Sequence, residues 1–373
     1  MPPLDAPRRN VSRRQAATIL ALLVICAGSP AGGVLAANQV AAGGPDCGRH
    51  PNNPRCASST TTGTTTATTT SSTTTTSPTK TTTSSGDSCA SPYTTDSPWN
   101  TAIGANPTIL ASGLTDVLGS DTLSSQPLEY AYPVYEVGAD TPQVRIYVQN
   151  LFSDVGGGGA SLQRFRGGTY VTIRLPDGAR GSNGTDGSMI VLDPATGDEW
   201  GFWQVSRDAD GNLSSTNGYH YNTRWSGVPP SGFGSRGAGV TYLAGLIRPC
   251  EIARGAIEHA LAFGYDYPRD SFIYPATKSD GKSTSALDLP EGSRIQLDPS
   301  LTREAIASWG CTAACLTIAR AMQTYGMYVV DNSGRDKVYA EDDVTADWNG
   351  AVARNTVSCI PERYFRRIFS PLP

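Results

Sequence analysis

Carboxylates, histidines and aromatic rings crowd the stretch of this chain between Asp186 and His259. Asp186, Asp193, Asp198 and Glu199 gather around two segments, SMIVLD (188–193) and EWGFWQV (199–205). Glycosidases need two such groups, one kept protonated by its surroundings and one ionised. Glu199 alternates with Gly201 and Trp203, so an extended chain puts the carboxyl group on one face with an indole ring. An apolar surround there raises a glutamate's pKa, and sugars stack on such rings. Asp193 and Asp198 also stand where hairpin loops place turn-forming aspartates.

The histidines suggest a different chemistry. His220 lies in GYHYNTRW, beside Tyr219, Tyr221, Asn222 and Arg224. A polysaccharide lyase needs a base for the C5 proton of a uronic acid and a cation or amide to neutralise its carboxylate, and these residue types fit. A polar, Gly-flanked segment is equally the composition of a surface loop. His259 alternates with Ile257, Leu261 and Phe263, the pattern of a core histidine or of one facing a ligand on a concave sheet. The aromatic residues Trp200, Phe202, Trp203, Tyr219, Tyr221, Trp225, Phe233 and Tyr242 divide between core and a sugar-binding face. The expected catalytic residues are therefore Glu199, His259, Asp186, His220 and Tyr221, with Trp203, Trp225, Arg224 and Tyr242 binding substrate. The glycine run 156–159 lacks the lysine of a phosphate loop, and Phe233 stands where a nucleophile elbow around Ser235 needs glycine. No zinc or calcium loop pattern occurs, so neither a metal nor another cofactor is expected.

The elements that must carry these residues are mostly strands. VRIYV (144–148), TYVTIRL (169–175), SMIVLD and EWGFWQV are short, rich in β-branched and aromatic residues, and bounded by turn signals such as Pro176-Asp177-Gly178. A hairpin is expected across 193–199, and further strands over 257–263 and 327–331. Helix signals are few: 249–254 closed by Gly255, and 302–325 with Thr302 as N-cap, a break at Gly310 and Gly326 at its end. This pattern predicts a mainly β, two-sheet sandwich or jelly-roll-like domain with one packed helical segment.

Several segments carry a resemblance. SPWN (97–100), MIVLDPATGDEWGFWQ (189–204), SRGAGVTYLAGLIRPCEI (235–252), IEHALAF (257–263) and YGMYVVDNSG (325–334) look like a widespread family of uncharacterised exported bacterial proteins. The resemblance covers most of residues 97–335 and implies a single domain but no activity. Where such relatives are expected to have a histidine before the Met-Ile-Val strand, this chain has Ser188.

The N-terminal region determines where the domain is expected to work. Arg8, Arg9, Arg13 and Arg14 precede an apolar run, 16–27, and small residues follow near 34–36, the order of a cleavable export signal. The general secretory route is favoured over the twin-arginine one, because Gln15-Ala16-Ala17 follows Arg13-Arg14 where that motif wants a bulky residue. Four domains of the sequence follow: a signal peptide (1–36), a small segment looped by Cys47 and Cys56 (37–56), a Thr/Ser-rich linker (57–87) and a β-rich globular domain (88–373). The linker has no apolar period to bury, which makes it an exposed tether. Taking four arginines and Asp5 from 29 basic and 33 acidic residues leaves 25 and 32, a balance of −7. An acidic mature chain gives no footprint for nucleic acid or for an anionic membrane. Export favours disulfides, and Cys89, Cys250, Cys311, Cys315 and Cys359 form an odd set in which Cys250 and Cys359 are both plausible partners for the 311/315 pair.

The expectation is an extracellular or cell-surface protein, monomeric, acting on a polysaccharide or cell-wall glycan as a glycoside hydrolase or polysaccharide lyase. The alternatives are a noncatalytic carbohydrate- or cell-wall-binding domain on a tether and a secreted serine hydrolase.

Overall fold

The computed structural model describes residues 89–370 except 115–117, 119–121, 151–152 and 157–167. The export signal, the Cys47–Cys56 loop, the linker and most of the glycine run lie outside the described residues. The chain is mainly β with little helix, as the strand-rich pattern predicts.

Two four-stranded sheets form the sandwich. In the outer sheet β3 (Gln143–Val148) pairs antiparallel with β4 (Thr169–Arg174) and parallel with β8 (Leu213–Ser215), and β7 (Ser206–Arg207) closes the edge. In the inner sheet β2 (Val134–Glu136) runs parallel to β5 (Met189–Asp193), which pairs antiparallel with β6 (Asp198–Trp203), and β6 pairs with β9 (Asn217–Asn222). Residues pointing inward from both sheets, among them Ile146, Val148, Ile173, Met189, Val191 and Phe202, fill one apolar layer. Burying each such side chain contributes about 1.5–3 kcal/mol. The hairpin over 193–199 forms as expected: Asp193 Oδ1 accepts the Ala195 N–H at 3.0 Å, and Gly197 turns with φ of 81°.

A third sheet stands behind the sandwich, and the sequence reading does not contain it. Its six strands are β1 (Ile109–Ser112), β16 (Phe365–Ile368), β13 (Arg294–Leu297), β14 (Met327–Asn332), β10 (Leu261–Tyr265) and β15 (Lys337–Val338), in that spatial order. It brings the last described strand beside the first, a pairing that no local pattern announces. A small ladder of β11 (Arg269–Phe272) and β12 (Pro290–Glu291) lies outside these sheets. One face of the six-stranded sheet packs on a layer of loops from 233–246 and, through it, on β9. Its other face packs on the helices.

Local chemistry ends each helix where the sequence indicates. In α1 (Pro249–Arg254) the proline occupies the first turn, and Gly255 takes the left-handed conformation at φ of 76°. The second predicted helix splits into α2 (Arg303–Ala307), capped by Thr302, and α3 (Ala313–Thr324), capped by Thr312. Gly310, at φ of 89°, makes the break. Among the described residues the disulfides are Cys89–Cys250 and Cys311–Cys315, so Cys250 does not pair with the 311/315 set. The Cys359 Sγ lies 2.7 Å from that of Cys311 and 3.5 Å from that of Cys315.

One strand expectation needs correcting. Residues 257–260 are not in a strand; β10 begins at Leu261. The preceding turn is fixed by the Ala260 N–H bonding Trp99 O at 2.7 Å and by the His259 side chain reaching back to α1. The alternation itself holds: Ile257, Leu261 and Phe263 pack on the helix side, and Ala260 and Ala262 on the loop side.

Candidate functional site

Glu199 follows from the register of β6. Period-two alternation sends Trp200 and Phe202 toward the sandwich layer and turns Glu199 the other way, into an aromatic core. There its Oε1 accepts the Tyr219 hydroxyl at 2.6 Å and the Leu243 N–H at 3.1 Å, while its Oε2 accepts the Tyr93 hydroxyl at 2.9 Å. The side chain is 0 % exposed. Burial pushes its pKa up, and the bonds from Tyr219, Leu243 and Tyr93 act against that rise. This carboxylate ties the Tyr93 segment and the 241–243 loop onto β6. Glu199 therefore presents no exposed surface, and Trp203 is partly buried at the strand's end.

His259 is likewise used by the fold. Its Nε2 donates to Glu251 Oε1 at 2.9 Å and its Nδ1 to Ala260 O at 2.9 Å, with 2 % of each of His259 and Glu251 exposed. Two acceptors require both ring protons, the imidazolium form. Burial pulls the His259 pKa down, but the charge and hydrogen bond of Glu251, with the Ala260 carbonyl, outweigh it and hold the group above its ordinary value. Glu251 Oε2 meanwhile accepts the Arg248 N–H at 2.8 Å, completing the box that starts α1.

Of the two described histidines, His220 is the one nearer solvent. It sits opposite Trp200 in the β6–β9 register and stacks on it, with centroids 3.9 Å apart. Its Nε2 meets Asp198 Oδ1 at 2.9 Å. Burial raises the Asp198 pKa, but hydrogen bonds from His220, Thr196 and Asn222 prevail and leave it below the ordinary carboxylate value. Arg224 is exposed and donates to Ala195 O at 2.6 Å. The other expected residues scatter. Tyr221 is in the aromatic core, its pKa pushed up to about 12 by burial, and Trp225 packs edge-on against it at 5.2 Å. Tyr242 stacks on Tyr132 at 4.5 Å. Asp186 is half-buried, its carbonyl accepting the Gln204 N–H at 2.7 Å. Ser235 donates to Val240 O, so its hydroxyl is not poised beside a histidine.

Two constellations are absent from the sequence reading. The first is an ionic cluster where loop 235–239 meets β14 and β15. Arg236, 3 % exposed, lies over the rings of Tyr132 and Tyr339 at 4.7 Å from each. Lys337, pushed down to about 8 by burial, bonds Tyr130 O at 3.0 Å. Asp331 accepts the Tyr339 hydroxyl at 3.1 Å, and burial with the nearby Asp280 raises it to about 6. Beyond it lies Glu291, raised to about 9 by burial and by the charges of Asp280 and Asp331.

The second constellation is open to solvent. On β3 the inward residues are Ile146 and Val148, so Arg145 and Tyr147 point outward. Tyr170 on β4 stands directly across from Tyr147, their centroids 5.0 Å apart, and Arg145 lies 4.2 Å from the Tyr170 ring. Tyr147 is 36 % and Tyr170 57 % exposed. These rings, with Ser206, Arg207, Asp208, Asn212 and Ser214, line a hollow of about 440 Å³ on the outer face of the sandwich. The signal for it was present: both tyrosines fall at outward positions of correctly placed strands.

No family model matches the chain, and neither a curated protein nor a solved structure does.

Proposed function

We propose that this protein is an exported glycan-binding protein that holds a polysaccharide or cell-wall glycan on the outer face of β3 and β4. The observation that carries this reading is the cross-strand Tyr147–Tyr170 pair, exposed at the floor of a hollow whose rim is polar. Exposed rings give a flat apolar surface for the axial C–H face of a sugar, and aromatic contact area of this kind drives binding at partly wet sites. Arg145, Arg207, Asp208 and Asn212 supply donors and acceptors for hydroxyl groups around that surface. The test is retention of the secreted full-length protein on insoluble glycans. Tyr170→Ala abolishes retention with an unchanged melting temperature; retention equal to the parent protein's rejects the reading.

A second reading keeps catalysis. The partly buried His220, held by Asp198 at 2.9 Å and stacked on Trp200, has the form of an oriented base, and the exposed Arg224 follows it four residues later. Release of reducing ends or of unsaturated uronates, lost in His220→Ala, would support this reading over simple binding.

A further inference from the structure

We propose that Asp280, Glu291 and Asp331 form a binding site for a divalent hard cation, calcium in an extracellular setting. Three separate chain segments converge there: the loop after Thr277, the strand β12 and the strand β14. One carboxylate oxygen from each lies within 4.8 Å of the other two. Oxygens that share a calcium ion at about 2.4 Å stand at most about 4.8 Å apart, so the spacing suits a common ion.

A second observation points into the cluster. Glu291 is 0 % exposed, and among the described residues its Oε1 has no hydrogen-bond partner. Its Oε2 accepts the Asp280 N–H at 3.2 Å. A buried carboxylate oxygen without a donor is costly unless a proton or a cation meets it. The neighbouring backbone leaves room: a Cβ at Gly237 would stand 2.7 Å from this oxygen and closer still to Asp280 Oδ1. Asp280 is exposed, which opens the cluster to solvent and to water ligands.

The cations already nearby do not fill this role. Lys278 donates to Ser235 O at 3.1 Å, and no described ion pair joins it to the three carboxylates. Lys337 donates to Tyr130 O, and Arg236 to Tyr242 O and Ala244 O. All the donors are carboxylate oxygens, which select calcium or magnesium over zinc or copper. The few protein ligands and the solvent-facing Asp280 suit weak binding, on the order of 0.1–1 mM, as in extracellular calcium modules.

The test uses the full-length protein, freed of metal by chelation and titrated with calcium chloride in a calorimeter and in thermal melts. One equivalent binds and the melting temperature rises. Glu291→Gln and Asp280→Asn weaken binding more than about tenfold and remove the shift, while both variants keep the parent's circular dichroism spectrum. No heat and no shift in the parent protein at about 10 mM calcium overturns the proposal and leaves a shared proton in the cluster. A calcium shift of the same size in Glu291→Gln overturns it too, because the ion then binds elsewhere.

Discussion

Glu199 and Glu291 are both 0 % exposed, and their surroundings could hardly differ more. Glu199 is met by two phenolic hydroxyls and a backbone N–H, so its negative charge has three donors. Glu291 is met by two further carboxyl groups and keeps one oxygen without a donor. Burial alone therefore does not mark a working group. A satisfied buried carboxylate is a structural fastener, and an unsatisfied one calls for something the polypeptide does not supply.

The contrast breaks most visibly in stability. Glu199→Ala leaves the Leu243 N–H and two tyrosine hydroxyls unmet in the core and is expected to cost on the order of 4 kcal/mol in urea unfolding. A loss under about 1 kcal/mol would mean that the network is not a fastener. His259→Ala extends the test to the other satisfied pair. It strands Glu251 and is expected to cost about 3 kcal/mol at pH 5. The sign of its pH dependence follows from a folded pKa above the ordinary 6.5. The stabilisation is complete below about 6.5 and fades as pH rises through the higher folded value, so parent and variant converge in alkaline buffer. Divergence with rising pH would remove the charged His259 from the account.

Glu291 should behave in the opposite way. Without cation its folded pKa stands near 9 against an ordinary 4.5, so the folded chain holds a proton that the unfolded chain releases. Parent stability then falls as pH rises from 4.5 toward 9, and Glu291→Gln gains on the order of 1 kcal/mol at pH 8 in chelator. A loss there as large as that of Glu199→Ala would erase the distinction between the two sites. The smallest effect belongs to the surface: Tyr170→Ala should stay within about 0.5 kcal/mol of the parent in the same unfolding experiment, since its ring faces solvent.

Much of the local structure was legible. The strands holding Ile146, Ile173, Val191 and Phe202 announce themselves by alternation, and α1 by Pro249 and Gly255, because these signals need only neighbouring residues. The candidate site was far less so. Alternation correctly set Glu199 and Trp203 apart from Trp200, yet it could not say which face meets solvent. Strand periodicity likewise carried the expected strand back through His259 to Ile257, when a contact with Glu251, across a turn, holds His259 outside β10.

The sequence by itself determined the strand-rich class, the helix ends, the hairpin over 193–199 and the shared face of Arg145 and Tyr147 opposite Ile146, all consequences of side-chain period and turn chemistry over a few residues. Only the tertiary structure decided that Glu199 is enclosed by Tyr93 and Tyr219, that Cys250 pairs with Cys89, and that Asp280, Glu291 and Asp331 meet. The reason is physical. Burial, charge neighbours and long-range pairing depend on which distant segments pack together, and residues separated by dozens of positions carry no local mark of that meeting.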